Sequence, residues 1–146
     1  MERFEFKKVT AMSGIEMFCV ERLRTDTFVT EQKITLPELD DQDLEATQVF
    51  LLNDKRTNAL AACRVFQEEG QWTFGRVAVA ASVRGQGLGR KMMEAVHEYL
   101  TQHDAKKVIC HAQVHAQAFY EKLGYQTQGD IFDEGGVSHI MMVKTL

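Results

Sequence analysis

The sequence predicts an α+β (mixed α/β) domain, a mixed sheet with helices on its faces. Three observations predict it. Strand-like runs dominate the first half, where Thr47–Leu52, Ala59–Gln67 and Trp72–Ala80 are separated by turn residues. From Leu88 the apolar residues Met92, Ala95, Val96, Tyr99 and Leu100 follow the clearest 3.6-residue period in the chain. Between those regions three glycines fall within five residues, in Arg84-Gly85-Gln86-Gly87-Leu88-Gly89-Arg90. At 146 residues the chain has the length of one domain, 1–146, able to bury roughly 68–70% of its unfolded surface.

Each element has its own signal. Phe4–Val9 alternates enough for a strand. Ser13-Gly14-Ile15-Glu16 has the spacing of a capping box, and Ile15, Phe18, Cys19 and Leu23 recur at helical spacing, so a helix is predicted to about Phe28. Residues Glu31 to Glu45 hold the single proline and a concentration of acids, and read as loop or short irregular helix. The segment Asn53–Asn58 turns the chain between two strands, and Glu68-Glu69-Gly70 turns it again. The long helix from Leu88 ends around His103. Lys107–Cys110 is a short buried strand, and His115–Leu123 a helix closed by Gly124 at a C′ position. Tyr125–Phe132 and Ser138–Lys144 form a closing hairpin around Asp133–Gly136.

Composition removes several classes of function. Seventeen Lys+Arg against 21 Asp+Glu leave a net charge of −4 with no basic block, which argues against nucleic acid as a partner. The longest apolar runs, such as Ala59–Cys63 and Val77–Ala81, fall far short of the ~20 residues that cross a bilayer, so no membrane partner is expected. The opening Met-Glu-Arg-Phe-Glu-Phe-Lys-Lys lacks the apolar stretch of a secretory leader. Cys19, Cys63 and Cys110 are widely spaced among apolar neighbours, as expected for free buried thiols in a reducing, cytoplasmic compartment. His111 and His115 lie four residues apart without a third ligand nearby, so no metal is expected. Cys110 and His111 are adjacent on a strand, hence on opposite faces, and do not read as a nucleophile pair.

The glycine cluster points to an anion. Helix N-termini carry unpaired N–H donors and the positive end of the macrodipole, and glycines let that backbone approach a phosphate closely. A tight turn serving chain reversal alone is the plainer alternative. The cluster is not a P-loop, because Leu-Gly-Arg follows where Gly-Lys-Ser/Thr would be needed, and its G-x-G-x-G spacing is not the dinucleotide fingerprint.

Arg84-x-x-Gly87-x-Gly89 resembles the Q/R-x-x-G-x-G/A signature of the GNAT acyltransferases. Arg76-Val77-Ala78-Val79 is similar to that family's fourth strand, and Phe119-Tyr120-Glu121-Lys122-Leu123-Gly124-Tyr125 to its Y-E-x-x-G-F element, with Tyr125 where Phe is commoner. The rest is similar to the ElaA/YjcF-like branch, through Arg24…Phe28-Val29-x-Glu31-Gln32, Asp40…Asp43, Ala112-Gln113-x-His115 and Glu134-Gly135-x-x-x-His139. One departure is Gln48, where the branch usually has histidine. The resemblance implies a GNAT fold: a central, mostly antiparallel six- to seven-stranded sheet flanked by about four helices.

It also implies transfer of an acetyl group from acetyl-CoA, as co-substrate, to a small amine-bearing acceptor. Amides from Gly85, Gln86, Gly87, Leu88, Gly89 and Arg90 would wrap the pyrophosphate, with charge added by Arg84 and Arg90. Val77, Ala78 and Val79 would offer backbone groups to the pantetheine arm, and Gln113 occupies a coenzyme-contacting position. Tyr120 is the expected general acid at the departing thiolate, although its spacing alone equally fits an ordinary helix core. An ammonium with a pKa near 10.4 must lose a proton before it attacks. His115 and His139 are of the right type to take it, and Glu31 could act through water. Asp40 and Asp43 belong to five acids between Glu38 and Glu45 that are either a solvated loop or a mouth attracting cations. The rival readings are a non-catalytic acetyl-CoA sensor and a generic nucleotide-binding α/β protein, and a homodimer stays open.

Overall fold

The structure, a computed structural model, describes residues 3–146; the first two residues of the N-terminal stretch considered above lie outside it. Strands β1 (Glu5–Lys8), β2 (Thr47–Leu52), β3 (Ala59–Glu68), β4 (Gln71–Val79), β5 (Lys107–Gln113), β6 (Gln126–Glu134) and β7 (Val137–Thr145) form one sheet in the order β1-β2-β3-β4-β5-β7-β6. Every neighbouring pair is antiparallel except β4 and β5, which the crossover helix between them makes parallel. Helices α1 (Gly14–Arg24), α2 (Gln42–Glu45), α3 (Leu88–Gln102) and α4 (Gln117–Lys122) complete the mixed α/β architecture that the sequence predicts.

Two apolar clusters lie on opposite faces of the sheet. Helix α3 buries Met92, Met93, Val96 and Leu100 against Val108, Cys110 and Ala112 of β5, Phe74 of β4 and Met142 of β7. Its predicted period is therefore the period of its packing. Helix α1 buries Cys19, Val20 and Leu23 against Phe50, Ala62 and Ala78. Ile15 and Phe18, expected on that inward stripe, are instead 58% and 52% exposed. The capping box explains the rotation. Ser13 Oγ accepts from the Glu16 amide, while Glu16 accepts from the Ser13 amide, from Lys7 at 2.8 Å and from Arg56 at 2.7 Å. Those bonds turn Glu16 inward and leave Phe18 outside under the Arg22 guanidinium, 4.9 Å from the ring centre.

The first helix does not run on as an α-helix to Phe28. From Thr25 to Glu31 it widens into a π-helical turn, closed by the Gln32 amide donating to the Thr27 carbonyl, five residues back. The segment that follows is tied to the sheet by charge. Arg24, 1% exposed at its side chain, donates to Glu38 at 2.6 Å and to Asp43 at 2.8 and 3.1 Å. Arg64 holds Asp40 at 2.6 Å and Asp43 at 3.1 Å, and Arg76 holds Glu38 at 3.1 Å. Gln48 is buried on β2 and donates to Asp43 Oδ1 at 3.1 Å, so the residue that departs from the branch pattern belongs to this network.

Such a network rewards integrity more than number of pairs, because one lost partner strands a desolvated charge. Asp43→Asn is expected to destabilise the fold by about 3–5 kcal/mol in denaturant unfolding. Asp40→Asn, at a carboxylate 40% exposed, is expected to cost less than about 1 kcal/mol. Equal losses in the two variants would show that burial of the pair does not set its contribution.

Candidate functional site

The site begins where two strands part. Strands β4 and β5 pair only through Thr73↔Ile109 and Phe74↔Cys110, after which β4 continues to Val79 and β5 to Gln113 without partners in each other. The local cause is a bulge in β4. Its register with β3 slips between Ala62 and Arg64, and Arg76 adopts φ 54°, the left-handed region that costs a non-glycine residue roughly 1–2 kcal/mol. Its own side chain compensates: Nε donates to the Glu38 carboxylate at 3.1 Å and to the Glu38 carbonyl at 3.2 Å, and Nη2 donates to the Pro37 carbonyl at 3.2 Å. Past the bulge Val77 and Val79 pack toward α3, and Ala78 toward α1.

The parted strand leads into the glycines. Gly85 and Gly87 have φ of 81° and 80°, a conformation that other residues adopt only under strain. Gly87 is the N-cap of α3 and supplies no side-chain acceptor, so the first N–H groups of a 15-residue helix point out of the loop. Gly89 has a different reason for being glycine: a Cβ there would touch the Phe119 ring at 3.4 Å and Val79 at 3.6 Å, where α3 passes close to its neighbours. Leu88 and Ala78 are buried, so each can offer only backbone, while Gln86 lies exposed. Arg84 is not an unengaged cation. It donates in parallel to both oxygens of Glu31 at 2.8 Å and from Nε to the Val79 carbonyl at 2.9 Å. Arg90 pairs with Glu94 at 3.1 Å.

The opposite wall of the opening is built from β5, β7 and the loop after the π turn. Gln113 donates to Gln32 at 2.7 Å and accepts from His115, whose Nε2 therefore carries a proton. His139 stands beside Gln113 in the β5–β7 register, buried, with its Nδ1–H donated to the Val137 carbonyl at 2.8 Å. Glu134 lies at the end of β6, and Gly135 after it packs against Ile34 and Leu36 of the loop. Glu31 has both oxygens on Arg84, and that bond holds its carboxyl below the usual range, so it is not an open base. Asp40 and Asp43 do not face an unscreened acidic mouth. With Glu38 they answer Arg24, Arg64 and Arg76, so these acids are neither the plain solvated loop nor the unpaired cation-attracting mouth between which the sequence leaves the choice.

Tyr120 sits at the floor, 6% exposed, with ring centres of Phe119, Tyr125 and Phe74 at 5.0, 5.5 and 5.9 Å. Its hydroxyl has no hydrogen-bond partner among the described residues, and burial pushes its pKa well above the ordinary tyrosine value. Cys110 is buried nearby, its thiol pushed up to about 12 by desolvation. Sequence reasoning missed two features of this wall. From sequence alone His111 reads only as half of a metal pair without a third ligand, and Gln32 only as part of the branch motif. The signal for the first was available: His111 and Gln113, two apart on one strand, share a face.

The chain matches the acetyltransferase (GNAT) domain family over residues 14–146. A UPF0039 protein of Schizosaccharomyces pombe is 32% identical over 95% of this chain and 94% of its own. An acyl-CoA N-acyltransferase from Pseudomonas aeruginosa superimposes with a TM-score of 0.90 at 29% identity, over 99% of this chain and 100% of its own. ElaA from Escherichia coli superimposes with a TM-score of 0.89 at 25% identity, over 99% of each chain. The parted parallel strands, the left-handed glycines and these likenesses lead to one conclusion: the chain belongs to the GNAT acetyltransferase family.

Proposed function

We propose that the protein transfers an acetyl group from acetyl-CoA to a small amine-bearing acceptor by direct attack on the thioester. The observation that carries this reading is the continuous path from the gap between β4 and β5 to the open N-terminus of α3. The gap offers a strand edge to a pantetheine arm, which can bond to main chain as an added strand does. The helix terminus behind Gly85 and Gly87 offers amides and a positive dipole end to a pyrophosphate. The Val79 carbonyl already accepts from Arg84, so the remaining main chain of Val77–Val79 supplies the contacts to the arm. Gln113, fixed from both sides by Gln32 and His115, is placed to meet the arm from β5.

In the chemistry, the Val79 amide stabilises the tetrahedral oxyanion. Tyr120 serves the leaving group. A phenol whose pKa burial raises holds its proton firmly, so its contribution is a hydrogen bond that strengthens as thiolate charge develops, not full proton transfer. The sensor reading is tested with the same protein. Titration calorimetry measures acetyl-CoA binding, and thiol detection across a panel of amines measures transfer. Binding without CoA release from any amine would sink the transferase reading.

Two variants separate binding from chemistry. Gly87→Ala meets no neighbouring atom, but its φ of 80° strains any Cβ, so the amides behind it must turn. The KM for acetyl-CoA is expected to rise about tenfold, the equivalent of roughly 1.4 kcal/mol, with the melting temperature little changed. An unchanged KM would remove the loop from the coenzyme site. Tyr120→Phe keeps the ring packing and is expected to lower kcat by about 10²–10⁴-fold while leaving acetyl-CoA affinity intact. Turnover equal to wild type would reduce Tyr120 to a core residue.

A further inference from the structure

Beyond the strands that α1 covers, the sheet carries a second set of ionisable groups. His111 is the first residue of β5 past its last pair with β4, Phe74↔Cys110, so it stands where the two strands part. Its Nδ1 lies 3.2 Å from Oε1 of Glu134 on β6. The Glu134 carboxyl is held below its usual range, first by that bond and then by the charges of His111, His139 and Arg76. As an ionised acceptor it fixes the proton of His111 on Nδ1, which leaves Nε2 as the basic nitrogen of the ring. The imidazole is 46% exposed, and Phe132 packs edge-on against it at 5.1 Å. The second carboxylate oxygen faces Nε2 of His139 at 3.6 Å, and His139 is locked by its bond to the Val137 carbonyl and stacked on Phe132. One carboxylate thus sits between a half-exposed imidazole on β5, at the residue where the strands part, and a buried one on β7. This is the arrangement of a base, an orienting acid and a support, generalised from hydrolytic triads.

We propose that His111, oriented by Glu134, takes the proton from the acceptor amine, and that His139 is a positioning residue that keeps Glu134 in place. The proposal rests on the acetyl-transfer reading above. The acceptor ammonium gives one proton to Nε2 of His111. The freed lone pair attacks the thioester carbon, forming the C–N bond, and collapse breaks the C–S bond. The second nitrogen proton leaves with the sulfur as CoA–SH, and His111 returns the first to solvent. The base-competent form is neutral His111. The charges facing it are Glu134 from β6 and Glu68 from β3, with His139 on β7 and Arg76 on β4 acting through Glu134. The Glu134 bond holds the His111 imidazolium above the ordinary histidine value. The acidic limb of the wild-type rate profile should therefore lie above about pH 6.5.

The test is steady-state CoA release by wild type, His111→Gln, Glu134→Gln and His139→Gln between about pH 5.5 and 9, using an amine from the panel that is turned over. Acetyl-CoA calorimetry and NMR titration of the His111 ring accompany it. His111→Gln is expected to lower kcat by about 10²–10³-fold, abolish the acidic limb and leave acetyl-CoA affinity unchanged. Glu134→Gln is expected to lower the plateau and move the limb to lower pH, because the imidazolium loses its carboxylate, and the NMR titration should move with it. His139→Gln should lower the plateau by less than Glu134→Gln, with the KM for acetyl-CoA unchanged, and a plateau equal to wild type removes His139 from the positioning role. A His111→Gln enzyme with wild-type kcat, or a limb unmoved in Glu134→Gln, overturns the assignment while acetyl transfer stands. A wild-type protein that binds acetyl-CoA and acetylates no amine overturns the transferase reading and this proposal together.

Discussion

One guanidinium holds the site open. Arg76 occupies a left-handed conformation in the middle of a strand, and such a residue would relax into regular pairing if nothing restrained it. Its bonds to Glu38 and Pro37 supply the restraint. The slip in the β3–β4 ladder follows, and β4 leaves β5 after two residue pairs. The same contact fixes the loop after the π turn against the sheet, so the parted strand edge and the loop beside it share one fastening.

That fastening is part of the network that engages Glu38, Asp40 and Asp43. Three arginines from α1, β3 and β4 converge on them, and none of those elements is adjacent to the loop in sequence. The network stabilises less by attraction than by making every alternative position of the loop leave a buried charge unmatched. The ionisable groups that stay open, His111, His115 and Glu134, lie on the other wall of the opening.

The legibility of the sequence follows the range of the interaction. Local signals are legible: the capping box at Ser13, the apolar period of α3, the glycine turn before it and the turn at Gly124 all depend on residues a few positions apart. Ile15 and Phe18 were misplaced because Lys7 and Arg56, distant in sequence, draw Glu16 inward and rotate the helix. The acidic stretch read as a surface run because its partners lie on other elements. Arg84 looked like a phosphate ligand from its motif, and only the folded chain brings Glu31 to it. Glu134 and His111, 23 residues apart, meet because β7 lies between their strands, an order that no local pattern encodes.

The π-helical turn has a consequence for how this fold can vary. A π turn holds a residue more than an α turn, so the direction in which the chain leaves the helix depends on that extra residue. Removing one codon between Thr25 and Glu31 would restore an ordinary helix and swing everything beyond it by about 100°. Glu31 would leave Arg84, and Gln32 would leave Gln113. One single-residue deletion would thus rearrange both walls together. The length of this helix is a point at which evolution, or a designer, can change the shape of the opening between β4 and β5.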